Sequence, residues 1–194
     1  MTNNIQEERY TLASNESGVY RLEILNRIHK PYTEFLLKRA GLKSGMVVAD
    51  IGCGTGNVSI GLAQQIGDTG SVIGVDTATV MLEQGRRNAE ALGLNNIKFM
   101  EGNAYNTGLP HNSFDLVYCR FLLMQLDEPS NALKEMRSLL KPNGVLVCEE
   151  GNSSSVFCDP PDAAFDRCRE LYLAMSKLYG KDFSIGSLLT DTSF

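Results

Sequence analysis

The sequence predicts an α/β fold, a three-layer and mostly parallel sheet with helices on both faces. Three observations predict it. Short apolar runs bounded by turn residues recur at Val47–Ile51, Ser71–Val75, Asn96–Met100, Phe114–Cys119 and Val145–Cys148, as strands buried on both faces require. Segments with apolar residues at helical spacing separate them, and such alternation calls for parallel strands joined by crossovers. The first run passes directly into a glycine turn and a helix start, VVADIGCGTGNVSIGL over Val47–Leu62.

Taken in order, residues 1–15 are polar, and Glu16–Lys30 reads as a helix with Val19, Leu22, Leu25 and Ile28 on one face. Pro31 ends or kinks it, a second helix runs over Pro31–Ala40, and Gly41 caps that one. After the first strand, Gly52, Gly54 and Gly56 let the backbone turn sharply and approach a ligand, and Val58, Ile60, Leu62 and Ala63 start a helix. Gly67–Gly70 is a turn, and Asp76 ends the second strand. The helix Thr77–Leu92 is expected to send Val80, Met81 and Ala91 inward and to stop near Gly93. Asp127-Glu128-Pro129 opens a further helix through Ala132, Leu133, Met136, Leu139 and Leu140. Lys141–Gly144 is a tight turn, Gly151–Ser155 a polar link, and Pro160–Tyr179 a last helix whose Phe165, Cys168, Leu171, Tyr172 and Met175 face the substrate side or the core. A single domain results, with a helical cap over 1–44, a core over 45–150, and a helix and tail over 151–194.

Composition narrows the function classes. The 194 residues are 43% hydrophobic and 21% charged, ordinary for a globular domain. A net charge of −5 without a basic cluster argues against nucleic acid as the partner, because phosphate neutralisation needs a basic face. No run reaches membrane-span length and the polar start is not a signal peptide, so a cytoplasmic protein is expected. Five widely spaced cysteines without a C-x-x-C pair read as reduced thiols, and two histidines form no metal-ligand pattern.

The charges at the glycine turn select the ligand. A dinucleotide-binding loop holds an anionic pyrophosphate, which Asp50, two residues before the first glycine, would oppose. The spacing is also G-x-G-x-G and not G-x-G-x-x-G. A ligand carrying an ammonium and a sulfonium is attracted instead, and S-adenosylmethionine carries both. Asp76 lies 20 positions after Gly56, the separation at which such folds place a carboxylate on ribose hydroxyls, although a strand-end acid also serves as an N-cap.

The run Asp50-Ile51-Gly52-Cys53-Gly54-Thr55-Gly56 resembles the first motif of class I S-adenosylmethionine-dependent methyltransferases, which are Rossmann-like. Leu109-Pro110 with Phe114-Asp115, and Leu139–Leu146 (LLKPNGVL), resemble the same core. Tyr10, Leu12, Arg21 and Leu22 resemble a pattern that precedes the core in some small-molecule members. The resemblance covers Gly41–Glu150. It implies a cofactor site of Asp50, Gly52, Cys53, Gly54, Gly56, Asp76, Thr77, Met81, Asn103, Ala104 and Arg120. Asn103 stands where the family commonly has an aspartate accepting from the adenine amino group, and its amide oxygen can still accept. Cys119-Arg120-Phe121-Leu122 replaces the [Asn/Asp]-Pro-Pro-[Tyr/Phe] run of amine-methylating members. Asp159-Pro160-Pro161-Asp162 imitates that run but falls where a helix starts. Cys119 lacks the setting of a cytosine-methylating nucleophile.

The resemblance implies methyl transfer to a small-molecule acceptor. An idle S-adenosylmethionine-binding or partner-binding protein and a nicotinamide-dependent reductase are the alternatives. No catalytic residue is assigned; Glu149, Tyr20 and His111 are candidate bases by position only. The family's sheet has seven strands, the last two an antiparallel hairpin, whereas five are legible here. Lys181–Phe194 holds no such hairpin, so a fifth strand left at an edge is expected, with marginal stability, dimerisation through that edge, or a longer natural chain; Ser184–Leu189 as a lone edge strand is the alternative.

Overall fold

The computed structural model describes residues 16–189. Five parallel strands form one sheet in the order β3-β2-β1-β4-β5: β1 Val47–Ile51, β2 Ser71–Asp76, β3 Ile97–Glu101, β4 Phe114–Arg120 and β5 Leu140–Glu149. The expected α/β sheet is present, with the order reversing between β1 and β4. Side chains alternate across β1. Val48 joins a core with Leu62, Ala63 and Ile66 of α2 (Asn57–Ile66) and Leu37 of α1 (Glu16–Arg39). Ala49 and Ile51 face the opposite core, with Ala132, Met136 and Leu139 of α4 (Pro129–Leu139). Helices therefore cover both faces, and β1 and β4 are buried from both sides.

Several boundaries differ from the sequence expectation. The two helices expected around Pro31 are one, α1, with Pro31 inside it. Pro31 sits on an exposed face, while Leu22 and Leu25 before it and the buried Thr33 and Leu37 after it face the body. Anchoring on both sides of the missing N–H holds the halves in line. Tyr10 and Leu12 lie outside the described residues. Helix α3 spans Thr79–Ala91, and only Met81 of the three expected inward residues is buried. Val80 is 61% exposed and Ala91 is exposed; Leu82 and Ala89 fill the core instead, packing on Phe99. Leu140 belongs to β5, which starts before the Lys141–Gly144 turn; Asn143 at φ 67 makes that turn a bulge within the strand. Helix α5 begins at Ala163, behind the two prolines, because the Asp162 carboxylate caps it by accepting from Phe165 N at 2.8 Å. Cys168 and Leu171 point outward from α5, while Tyr172 stacks on the buried Phe183 at 4.6 Å.

No strand follows β5 among the described residues, and Ile185–Ser187 is a short 3-10 turn, not an edge strand. That segment folds back on the loop after β5: Ser153 N donates to Phe183 O and Gly186 N donates to Gly151 O.

Gly56 shows how tightly the glycine turn is set. It lies at φ 73, and a Cβ there would come within 2.5 Å of the Phe99 ring. Gly56→Ala should therefore combine left-handed backbone strain with overpacking, costing about 2–4 kcal/mol and lowering the melting temperature by about 5–15 °C. Thermal unfolding followed by circular dichroism checks this.

Candidate active site

The turn after β1 carries the site because its backbone is tied to the next strand. Gly52 N and Cys53 N donate to Val75 O at 2.8 and 3.0 Å, and Gly54 N donates to Asp76 Oδ2 at 2.8 Å. The other oxygen, Asp76 Oδ1, accepts from Ala78 N at 2.9 Å, so one carboxylate joins the β1 turn to the turn before α3. Helix α2 starts directly on Gly56, itself in the left-handed conformation. Above this edge lies a cavity of about 610 Å³, within the usual range of ligand sites. It opens at the carboxyl ends of β1, β2 and β4, where the strand order reverses, as expected of an open parallel sheet.

One end of the cavity is acidic. Asp50 is 3% exposed and accepts from Ser59 Oγ at 2.5 Å. Burial pushes its carboxyl up to about 6, against the Ser59 hydroxyl and the Arg120 charge, which both favour ionisation. Burial also raises Asp76, opposed by the N–H groups it accepts. Burial, then the charge of Asp50, raises the Cys53 thiol, which stays protonated.

The other end is apolar, built from Phe121, Leu122, Met124, Leu126, Val156 and Tyr172. Phe121, directly after β4, has φ 54, a strained value for a residue with a side chain. Glu150 fixes the turn that follows: its Oε1 accepts from Leu122 N at 2.9 Å and Leu123 N at 2.7 Å. Its Oε2 is buried without a hydrogen-bond partner among the described residues, and burial pushes the carboxyl up to about 7. Helix α1 closes the cavity from above with Arg21, Leu22, Leu25 and His29.

Of the residues expected at the site, Asp50, Gly52, Cys53, Gly54, Asp76, Thr77, Met81, Ala104 and Arg120 line this cavity. Gly56 and Asn103 do not. Between Thr55 and Asn57, which do, Gly56 turns the position of its missing Cβ onto Phe99 and Gly85. Asn103 is exposed, and its Oδ1 accepts from Tyr105 N at 2.8 Å, which closes its own turn and leaves Gly102 and Ala104 on the wall. None of the three positional base candidates is on the wall either. Tyr20 is 66% exposed and His111 lies on an exposed loop. Glu149 accepts from Tyr118 Oη at 2.6 Å and Thr33 Oγ1 at 2.7 Å. Cys119 is fully buried; its hydrogen bond with Cys148, then burial, raises its thiol, the opposite of a nucleophile's setting. Tyr172, expected on the substrate side or the core, lines the cavity, whereas sequence reasoning missed His29 and Glu150, which are placed by tertiary contacts and belong to no local pattern. Among the described residues, no cluster of three or more His, Cys, Asp or Glu side chains could hold a metal ion, and no helix is long and apolar enough to cross a membrane.

The methyltransferase domain family matches residues 42–179. The chain belongs to that family. It is 34% identical over 185 residues to a demethylmenaquinone methyltransferase of Staphylococcus saprophyticus, covering 92% of this chain and 75% of that protein. It is 35% identical over 131 residues to the same-named protein of Geobacillus stearothermophilus, covering 68% of this chain and 56% of that one. The chain thus spans between about half and three quarters of the length of such relatives. A solved S-adenosylmethionine-dependent methyltransferase from Aquifex aeolicus is 27% identical with a TM-score of 0.59, covering 74% of this chain and 77% of that one. A Methanococcus maripaludis structure at 24% identity and TM-score 0.63 shares the fold.

The family's cofactor is S-adenosylmethionine, and the residues present fit it. Two buried carboxylates suit a cation with hydroxyl groups, and Gly52 and Gly54 bring backbone, not side chains, to the wall. The family sets aside the reductase reading. When bound, the cofactor supplies an activated methyl group on a sulfonium.

Burial of Asp50 has a measurable consequence without ligand. Its folded-state value lies above the usual 3.8, so its contribution is fully present below about pH 4 and is lost as pH rises through 6, on the order of 3 kcal/mol in total. Asp50→Asn should therefore gain stability relative to the native chain as pH rises from 4 to 6 and hold that difference at pH 7. Urea unfolding across this range measures it.

Proposed function

We propose that this chain transfers the methyl group of S-adenosylmethionine to a flat, largely apolar small molecule of the quinone class, in its electron-rich reduced form. The observation that carries this reading is the two-ended cavity: carboxylates at one end, Phe121, Leu122, Met124 and Tyr172 at the other, with the strand-order reversal between them. The relatives named demethylmenaquinone methyltransferase support the acceptor class. A methyl cation equivalent needs a nucleophile, which the electron-poor quinone is not and its hydroquinone is.

In this reading Asp76 accepts from the ribose hydroxyls while keeping its two backbone bonds, and Asp50 attracts the ammonium. Thr77, Met81 and Ala104 flank the adenine, and Arg120 and Phe121 stand where methyl group and acceptor meet. The sulfonium is already a good leaving group. The protein's share is then alignment and exclusion of water, worth several kcal/mol in general. The five free cysteines agree with a cytoplasmic setting.

Asp76→Ala should weaken S-adenosylhomocysteine binding about 10- to 100-fold, because two hydroxyls and the β1 turn lose one charged acceptor. Calorimetric titration checks it, and unchanged affinity removes Asp76 from the site. Incubation with S-adenosylmethionine and chemically reduced demethylmenaquinone, followed by mass spectrometry, should show the methylated ring. Cofactor binding without any product would favour the idle-binder alternative.

A further inference from the structure

The cavity holds one imidazole to which the reading above gives no work. His29 shares the cavity-facing side of α1 with Leu22 and Leu25, at helical spacing. Its ring stands edge-on to Phe121, with centroids 4.9 Å apart and planes at 75°, which places it at the acceptor end. The polar groups around it are bound to one another. Arg120 donates to Thr33 Oγ1 and Asn26 Oδ1, both at 3.1 Å, and Glu149 accepts from Thr33 and Tyr118. Neither ring nitrogen of His29 has a hydrogen-bond partner among the described residues. The strained backbone of Phe121 presents the ring against which the imidazole is held.

We propose that His29 is the general base of the reaction, taking the proton of a ring hydroxyl on the acceptor as the methyl group moves. This rests on the methyl-transfer reading above. The O–H bond breaks and its proton goes to an imidazole nitrogen. The electron pair left on oxygen, shared with the ring, forms the new bond to the methyl carbon through oxygen or the conjugated ring carbon. The S–CH₃ bond breaks and its pair stays on sulfur as a neutral thioether. After attack through carbon, the ring hydrogen leaves as a proton and the oxygen recovers one from the imidazolium. Either route releases one proton in total. Burial lowers the His29 value below the usual 6.5, the Glu149 carboxylate at the end of β5 opposes this, and the Arg120 charge at the end of β4 reinforces it. The other ionisable groups of the cavity wall are Arg21, Asp50, Cys53, Asp76 and Tyr172. The imidazole is therefore neutral at pH 7 and free to accept a proton.

The test compares the native chain with His29→Gln and His29→Ala, using reduced demethylmenaquinone as acceptor. Both variants should bind S-adenosylhomocysteine within about twofold of the native affinity, which shows the fold intact. Their kcat should fall by about 10²- to 10⁴-fold with KM little changed, and added imidazole should restore part of the His29→Ala rate. The native kcat should fall as pH drops through a value below 6.5, and His29→Gln should lack that limb. As a readout without turnover, 1-naphthol bound to the native S-adenosylhomocysteine complex should show the naphtholate absorbance at lower pH than free 1-naphthol, and the complex of His29→Gln should not. A His29→Gln variant that keeps kcat within about threefold, or keeps the acidic limb, overturns the proposal while leaving methyl transfer standing. A native chain that binds S-adenosylhomocysteine but neither methylates the hydroquinone nor binds 1-naphthol overturns the acceptor reading, and His29 as base falls with it.

Discussion

The carboxylate of Asp76 is the tie on which the acidic end of the cavity depends. It accepts from Gly54 N with one oxygen and from Ala78 N with the other, so a single side chain at the end of β2 holds both the turn after β1 and the turn before α3. Gly54 can offer its N–H there only because the backbone runs through φ 73, 54 and 73 at Gly52, Gly54 and Gly56. Gly52 and Cys53 N–H groups are spent on Val75 O in the same way. Glycines and acid therefore make sense only together. The turn is held by a group that also faces the cavity.

The apolar end is fixed by a second, different constraint. Helix α1 lies across the mouth, and the hydrogen bonds of Thr33 and Asn26 join it to Glu149 and Arg120 at the ends of β5 and β4. Tyr118 completes this junction by donating to Glu149; burial, then the Glu149 charge, keeps its phenol protonated and hence a donor. These are part-buried, charge-assisted bonds, each worth more than a neutral surface contact. They act at the half of α1 that contains His29 and Pro31, so the helix stays continuous through the proline. The position of His29 follows from where the helix is pinned, not from its own contacts with the sheet.

Much of this was legible in the sequence, and the failures have physical causes. The five strands, their helices and the nine of eleven expected positions that line the cavity follow from periodicity, glycine spacing and the family pattern. Local signals carry all of these. Val80 and Ala91 were misplaced because the face of α3 that packs is set by Phe99 on β3, against which Leu82 and Ala89 lie, a partner that no local pattern reveals. Asn103 sits at the expected turn, but an Asx-type bond to Tyr105 N takes its oxygen, and a short polar side chain satisfies its nearest donor first. Glu150 and His29 could not be found, since what distinguishes each is a neighbour far along the chain: Leu122 and Leu123 for one, Phe121 for the other.

Asp50 and Glu150 show that this site is held against the preference of its charges. Both carboxyls are raised by burial, Asp50 to about 6 and Glu150 to about 7, and Glu150 keeps one oxygen buried with no donor among the described residues. Such groups destabilise the folded chain at neutral pH, where ionisation inside low-dielectric surroundings is unfavourable. At the Asp50 end the penalty has a counterpart: a cationic ligand placed beside the carboxylate restores the ionised form, so binding and stability are linked in one free energy. A neutral residue at position 50 would give a more stable empty cavity and a weaker hold on a sulfonium ligand. Glu150 differs, because one of its oxygens accepts two backbone N–H groups of the turn that lines the apolar end, and that geometry is what the burial secures. The acidic end of the cavity therefore holds a charge that a cationic ligand would neutralise, and the apolar end a charge that the protein itself must hold.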